Sequence, residues 1–214
     1  MRFVFIIAIF VLQSFSSENV IKDAEIVNNP LEEIKKIDES IKTLTADFTQ
    51  EIFFKTAEIK QNVEGKIFFS KPGNLKIIHT KPQDQIIIIR NEKELTIVKP
   101  KDKQIIKTHW EKWKNSLEPR IKGLLELGRY REVASKEDIE IYKENDLKVI
   151  IIRSKKNTYI LKIVFSKSNT PLRTELDMGD TSISTVFNNV KINDNISDGE
   201  FKYKNKDGFE TLSL

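Results

Sequence analysis

His79 and His109 are the chain's two histidines, and cysteine is absent. An enzyme needs a nucleophile, a general base or a metal held at a defined place. The histidines stand 30 residues apart, and neither lies in the His-Glu-x-x-His spacing that puts two ligands on one helix face. Without cysteine there is no thiolate metal site, no disulfide framework and no thiol nucleophile. The seven glycines do not cluster into a phosphate-cradling loop. Carboxylates are abundant but scattered, and a pair such as Glu137 and Asp138 is indistinguishable from ordinary surface charge. These residues argue against catalysis, and neither a metal nor a cofactor is expected. What remains is apolar contact, so the question becomes which elements gather apolar side chains on one face.

One helix opens the folded part. Asn29 is suited to cap it and Pro30 to start it. Leu31, Ile34, Ile37, Ile41 and Leu44 recur at spacings of three and four, which predicts a helix over residues 30–44. Glu32 and Glu33 sit near its positive end, as the helix dipole prefers. After Thr45 the period changes to two, with Ala46, Phe48, Gln50, Ile52 and Phe54 on one side. Strand-like runs follow at residues 67–71, 75–79, 85–90, 94–98 and 104–108, separated by short polar links. Trp110, Trp113 and Leu117 then break the rhythm, and Pro119 leads into Ile121, Leu124, Leu125 and Leu127. This middle stretch, residues 110–128, reads as one or two short amphipathic helices. Strands resume at 138–143, 147–154, 158–166, 172–178, 181–192 and 201–204, with Lys155-Lys156-Asn157 and Gly179-Asp180 as turns. Short links favour antiparallel neighbours. The fold class is therefore mainly β (α+β), a single curved antiparallel sheet of about 11 strands with a few helices that can cover its apolar face.

Residues 1–16 read as a secretory signal peptide. Met1-Arg2 gives a positive start, Phe3 to Leu12 is uninterruptedly apolar, and Ser14 and Ser16 supply small residues before a cut near Ser16. The apolar run is about half the ~20 residues of a membrane-spanning helix. With no cysteine to carry a lipid, the exported chain is not itself a lipoprotein. The net charge is +4, falling to +3 once Arg2 is removed with the leader. Lysines are interleaved with acids throughout, for example Lys35-Lys36 beside Glu32-Glu33, which argues against nucleic acid as a partner. Residues 17–214 then form one domain.

Several stretches together resemble the periplasmic lipoprotein carriers of the LolA family. Thr45-Ala46-Asp47-Phe48-Thr49-Gln50 is similar to the family's strand after its first helix. Gly65 to Ile77 resembles its most recognisable segment, in which a glycine opens a strand and a basic residue precedes proline. Pro82, the strand Gln85–Arg90, Leu95 to Pro100, Glu118-Pro119 before Leu124-Leu125, and Val186 to Tyr203 follow in the family's order. The family usually has arginine where Lys71 stands, an arginine that binds a lid helix and holds the empty cavity closed. Lysine lacks the planar guanidinium fork, so a looser closed state is expected. Aliphatic Leu75 and Ile77 replace the usual aromatics, Asn91-Glu92 replaces a turn glycine, and Thr96 stands for a tryptophan.

The resemblance implies an unclosed half-barrel covered by a helical lid, whose cavity takes the acyl chains of lipoproteins. An inner-membrane ABC transporter complex would hand them over, and an outer-membrane acceptor would receive them. The carrier would be a periplasmic monomer. By alternation the lipid-binding residues would be Phe48, Ile67, Phe69, Leu75, Ile77, Ile87 and Ile89 from strands, and Trp110, Trp113, Leu124 and Leu125 from the lid, with Lys71 as the polar candidate on the same face. The alternative reading is an envelope lipid-binding, protein-interaction or sensor module on the same sheet, without lipoprotein transfer.

Overall fold

The structure, a computed structural model, describes residues 25–113, 124, 130, 134–205 and 207–214. The leader, Leu117, Pro119, Ile121, Leu125 and Leu127 lie outside the described residues. Among the described residues, thirteen strands form one curved, unclosed sheet. In chain order they are β1 (Glu25–Ile26), β2 (Thr43–Phe54), β3 (Ile59–Ser70), β4 (Asn74–Lys81), β5 (Gln85–Arg90), β6 (Glu94–Lys99), β7 (Gln104–His109), β8 (Asp138–Glu144), β9 (Leu147–Arg153), β10 (Ile160–Ser166), β11 (Pro171–Asp177), β12 (Thr181–Ile192) and β13 (Glu210–Ser213). Their order across the sheet is β1-β8-β9-β10-β11-β12-β2-β3-β4-β5-β6-β7-β13.

The sheet is antiparallel except at one edge, where β13 pairs parallel to β7. The number of strands exceeds eleven because two short edge strands, β1 and β13, carry no alternation long enough to be read from sequence. Residues Phe201–Lys204 are not a strand. Asp198–Phe201 forms a single 3-10 turn, and Phe201 is buried at its end against the outer side of β4 and β5. Lys76 pairs there with Glu200 at 2.6 Å.

Helix α1 covers Pro30–Ser40, shorter than the apolar spacing implied. Asn29 caps it, its side chain accepting from the Glu32 N–H at 3.3 Å. Ile41 turns extended, and Leu44 is taken by β2, whose alternation Leu44, Ala46, Phe48 outcompetes the helical period. Ile34 and Ile37 are buried, whereas Leu31, in the first turn, is 53% exposed. The second covering stretch begins with α2 (Trp110–Trp113), whose Trp110 N–H donates to the Lys93 carbonyl. Leu124, Tyr130 and Ala134 are helical and buried.

Turn chemistry matches the links. Asn91 and Glu92 both have positive φ, the left-handed pair of a tight hairpin, so two non-glycine residues occupy the turn in place of glycine. Gly65 does not open a strand but sits in the middle of β3, opposite Phe48. A Cβ there would lie 2.1 Å from the Ile78 carbonyl oxygen and 2.8 Å from the Phe48 ring, so glycine is what lets β4 approach.

Candidate functional site

Strand register sorts the inner face into rungs. One runs Leu44, Phe69, Leu75, Ile89, Leu95 across β2 to β6. The next runs Ala46, Ile67, Ile77, Ile87, Ile97, Ile106. A third holds Phe187, Phe48, Gly65, His79 and Gln85. The fourth crosses the other half of the sheet, as Ile141, Ile150, Ile163, Thr174, Thr185, Gln50, Val63. A fifth is apolar again from Ile139 through Ile152, Leu161, Leu176, Ile183 to Ile52.

The seven strand residues anticipated from alternation thus occupy three successive rungs. Phe48, Ile67, Phe69, Leu75, Ile77, Ile87 and Ile89 are all buried, and with Trp110 and Leu124 they belong to one continuous apolar cluster. Trp113 is half-buried and packs against that cluster. The cover over the other half includes Tyr130, whose ring stands edge-on to Phe165 at 5.2 Å between centroids. α1 adds Ile34 and Ile37 to the same cluster.

Lys71 is placed differently from the rest. It follows β3 in the turn, its side chain is 31% exposed, and it reaches α1 rather than the apolar rungs. Its ammonium donates to the Asp38 carboxylate at 2.9 Å and to the Asp38 carbonyl oxygen. One lysine therefore holds both the backbone and the side chain of α1's last turn, where a cation complements the negative helix end. Asn193 secures the same corner: its Nδ2 donates to the Ser40 carbonyl at 2.8 Å and its Oδ1 accepts from the Lys42 N–H at 2.8 Å. At the other end of α1, Lys148 of β9 donates to Glu33 at 2.7 Å, with both side chains largely buried. This hydrogen bond holds the Glu33 carboxyl below its ordinary pKa, against the opposing pull of burial.

Asp38, Asn193 and Tyr130 were not anticipated. Asp38 and Asn193 pair with residues 33 or more positions away, a relation that no local spacing encodes. The outer face has its own feature. An open cavity of about 360 Å³ lies between β5–β7 and the C-terminal segment, bordered by Ile88, Arg90, Thr96, Lys107, Phe201 and Tyr203. Among the described residues no group of three or more His, Asp or Glu side chains is placed to hold a metal ion. No described helix is long and apolar enough to cross a membrane.

The described residues thus form a one-sheet half-barrel whose apolar inner face packs against α1, Trp110 and Leu124. Residues 39–204 match the family model of the outer membrane lipoprotein carrier protein LolA, and the chain belongs to that family. An outer-membrane lipoprotein carrier protein of Nitrosospira multiformis is 34% identical over 55 residues, which is 26% of this chain and 27% of that protein. The matched stretch thus spans about a quarter of that relative's length. Among solved structures, an uncharacterized conserved protein from Thermus thermophilus shares the fold, with a TM-score of 0.56 and 12% identity over 87% of this chain and 100% of that one. A LolA superfamily protein from Nitrosomonas europaea aligns at a TM-score of 0.45 and 13% identity over 82% of this chain and 98% of that one.

Proposed function

We propose that this protein is a periplasmic carrier for the acyl chains of lipoproteins. It takes them from an inner-membrane ABC transporter complex and delivers them to an outer-membrane acceptor. Residues 1–16 are the leader that exports it, and residues 17–214 are the monomeric carrier. The single observation that supports this reading most is the pair of rungs through Leu75 and Ile77, apolar from β2 to β6 and packed in one cluster with Ile34 and Ile37 of α1 and with Trp110 and Leu124. An acyl chain gains ~0.8 kcal/mol for each CH₂ removed from water. A covered aliphatic face therefore binds such a chain without covalent chemistry.

Loading requires the cover to move, since Ile67 and Ile77 are 0% exposed. Lys71 is the closing contact. Its bond to Asp38 fastens α1 in the empty protein and is the contact that must yield for cargo. Lysine holds a single point-like charge there, where arginine would offer a planar fork, so the closed state opens more readily.

The test is direct. The mature protein is mixed with a detergent-free triacylated lipoprotein and run on gel filtration. A soluble one-to-one complex is expected, absent for the same lipoprotein stripped of its lipid. If acylated cargo aggregates equally with and without the protein, the carrier reading fails, and a sensor module with a permanently filled core takes its place.

A further inference from the structure

The inner face is not uniformly apolar, and its polar part has acceptors to spare. Gln50 is 3% exposed and flanked along β2 by Phe48 and Ile52 on the same face. Its Nε2 donates to Thr185 Oγ1 at 3.0 Å, but its Oε1 is buried with no hydrogen bond. Gln85, 6% exposed, opens β5 on the neighbouring rung, and its Oε1 is likewise buried and unpaired. Between the two stand Phe48 and His79, edge to face at 5.9 Å. A buried acceptor without a donor costs about 1–3 kcal/mol, so native proteins keep few of them. Strands β3 and β4 separate Gln85 from Gln50, so a single donor serves one of them; the Gln50 oxygen, beside the aliphatic rung through Ile52, matches a ligand that is mostly hydrocarbon but carries one donor.

We propose that Gln50 is a polar subsite in the floor of this face, its Oε1 accepting a hydrogen bond from the N–H of an acyl amide. This rests on the carrier reading and adds a head-group preference to it. The hydrocarbon lies over the Leu75 and Ile77 rungs, and the amide lies at the His79 and Gln50 rungs. An ester of the same chain has no hydrogen to give and leaves the Gln50 carbonyl oxygen unpaired.

The test uses N-methyldodecanamide and methyl dodecanoate, which differ at one N–H, each displacing a fluorescent fatty acid from the mature protein. The amide is expected to bind about fivefold more tightly, the worth of one net neutral hydrogen bond. In Gln50→Leu the preference falls towards unity while ester binding is retained, which also certifies the fold. Gln85→Leu, on β5, is the control variant and should leave the preference unchanged. Equal affinity for amide and ester in the wild type overturns the subsite and leaves the carrier reading intact. So does a preference that survives Gln50→Leu, or one that is lost only in Gln85→Leu. If neither probe displaces the fatty acid analogue, the carrier reading falls and the subsite with it.

Discussion

On the inner face, the rungs through Leu75 and Ile77 carry only aliphatic and aromatic side chains from β2 to β6, whereas the rungs through His79 and Gln50 bring in an imidazole, two carboxamides and two threonine hydroxyls. The two ends differ in what they can supply. Apolar area gives binding energy that is non-directional and scales with surface. Buried hydrogen-bonding groups give little net energy but strong penalties for a mismatch, and so discriminate. A carrier that must hold cargo and later let it go needs the first kind in moderation, and the second kind to choose its cargo.

The comparison breaks most visibly at the centre of the apolar end. Ile77 and Ile78 are neighbours in β4, but Ile77 is fully buried on the inner face and Ile78 half-buried on the outer. Ile77→Ala should lower unfolding free energy by about 3 kcal/mol, the cost of a core cavity. Ile78→Ala should cost less than ~1 kcal/mol. Urea denaturation of both variants checks this, and equal costs would mean that the register is wrong.

A smaller effect is expected at the cover. Lys71→Ala removes the bond to Asp38 and should lower stability by about 1 kcal/mol. More telling is where the loss falls. Amide exchange should quicken across residues 34–40 of α1 while the centre of β4 stays protected. Lys71→Arg should slow exchange in α1, because a guanidinium can engage the Asp38 carboxylate through two N–H groups.

The smallest effect is on pH. The Glu33 carboxyl is held below its ordinary pKa by the hydrogen bond from Lys148. A depressed carboxyl stabilises the fold above the unfolded value of ~4.3 and loses that contribution as pH falls through the folded value. Stability should therefore decline on the acid side of that range, by under about 1 kcal/mol for this pair. In Glu33→Gln that part of the decline should flatten, measured by denaturation across the carboxylate titration range.

Much of this arrangement is legible in the residues themselves. The period-two run from Leu44 to Ile52 places Phe48 on the covered side, and short polar links between isoleucine-rich runs imply antiparallel neighbours. Turn identities at Asn157 and Gly179 are equally local, and both have the positive φ those turns need. Other features depend on the third dimension. The helix stops at Ser40: Ile41 already has extended backbone, and Leu44, which satisfies both periods, is taken by sheet pairing with Ile192 and Phe69. Lys71 reads as an inward lysine from strand parity. Instead it leaves the strand at the turn and finds Asp38, a partner that only packing brings near. The type of Gln50 and its parity are plain in the sequence, but its unpaired oxygen becomes meaningful only once its neighbours are known. Phe201 alternates like a strand residue and yet ends a 3-10 turn, because it is captured by the outer side of β4 and β5.

Whether cargo lies on the inner face is tested most directly by methyl spectra of the protein labelled at the isoleucine δ-methyl groups. The protein is titrated with a water-soluble diacylated lipopeptide and with its unacylated counterpart. Large shifts are predicted at Ile67, Ile77, Ile87 and Ile89 with the acylated peptide only, and nearly still signals from Ile78 and Ile86 on the opposite face of the same strands. Shifts at Ile78 and Ile86 with the inner methyls unmoved would contradict an inner-face carrier.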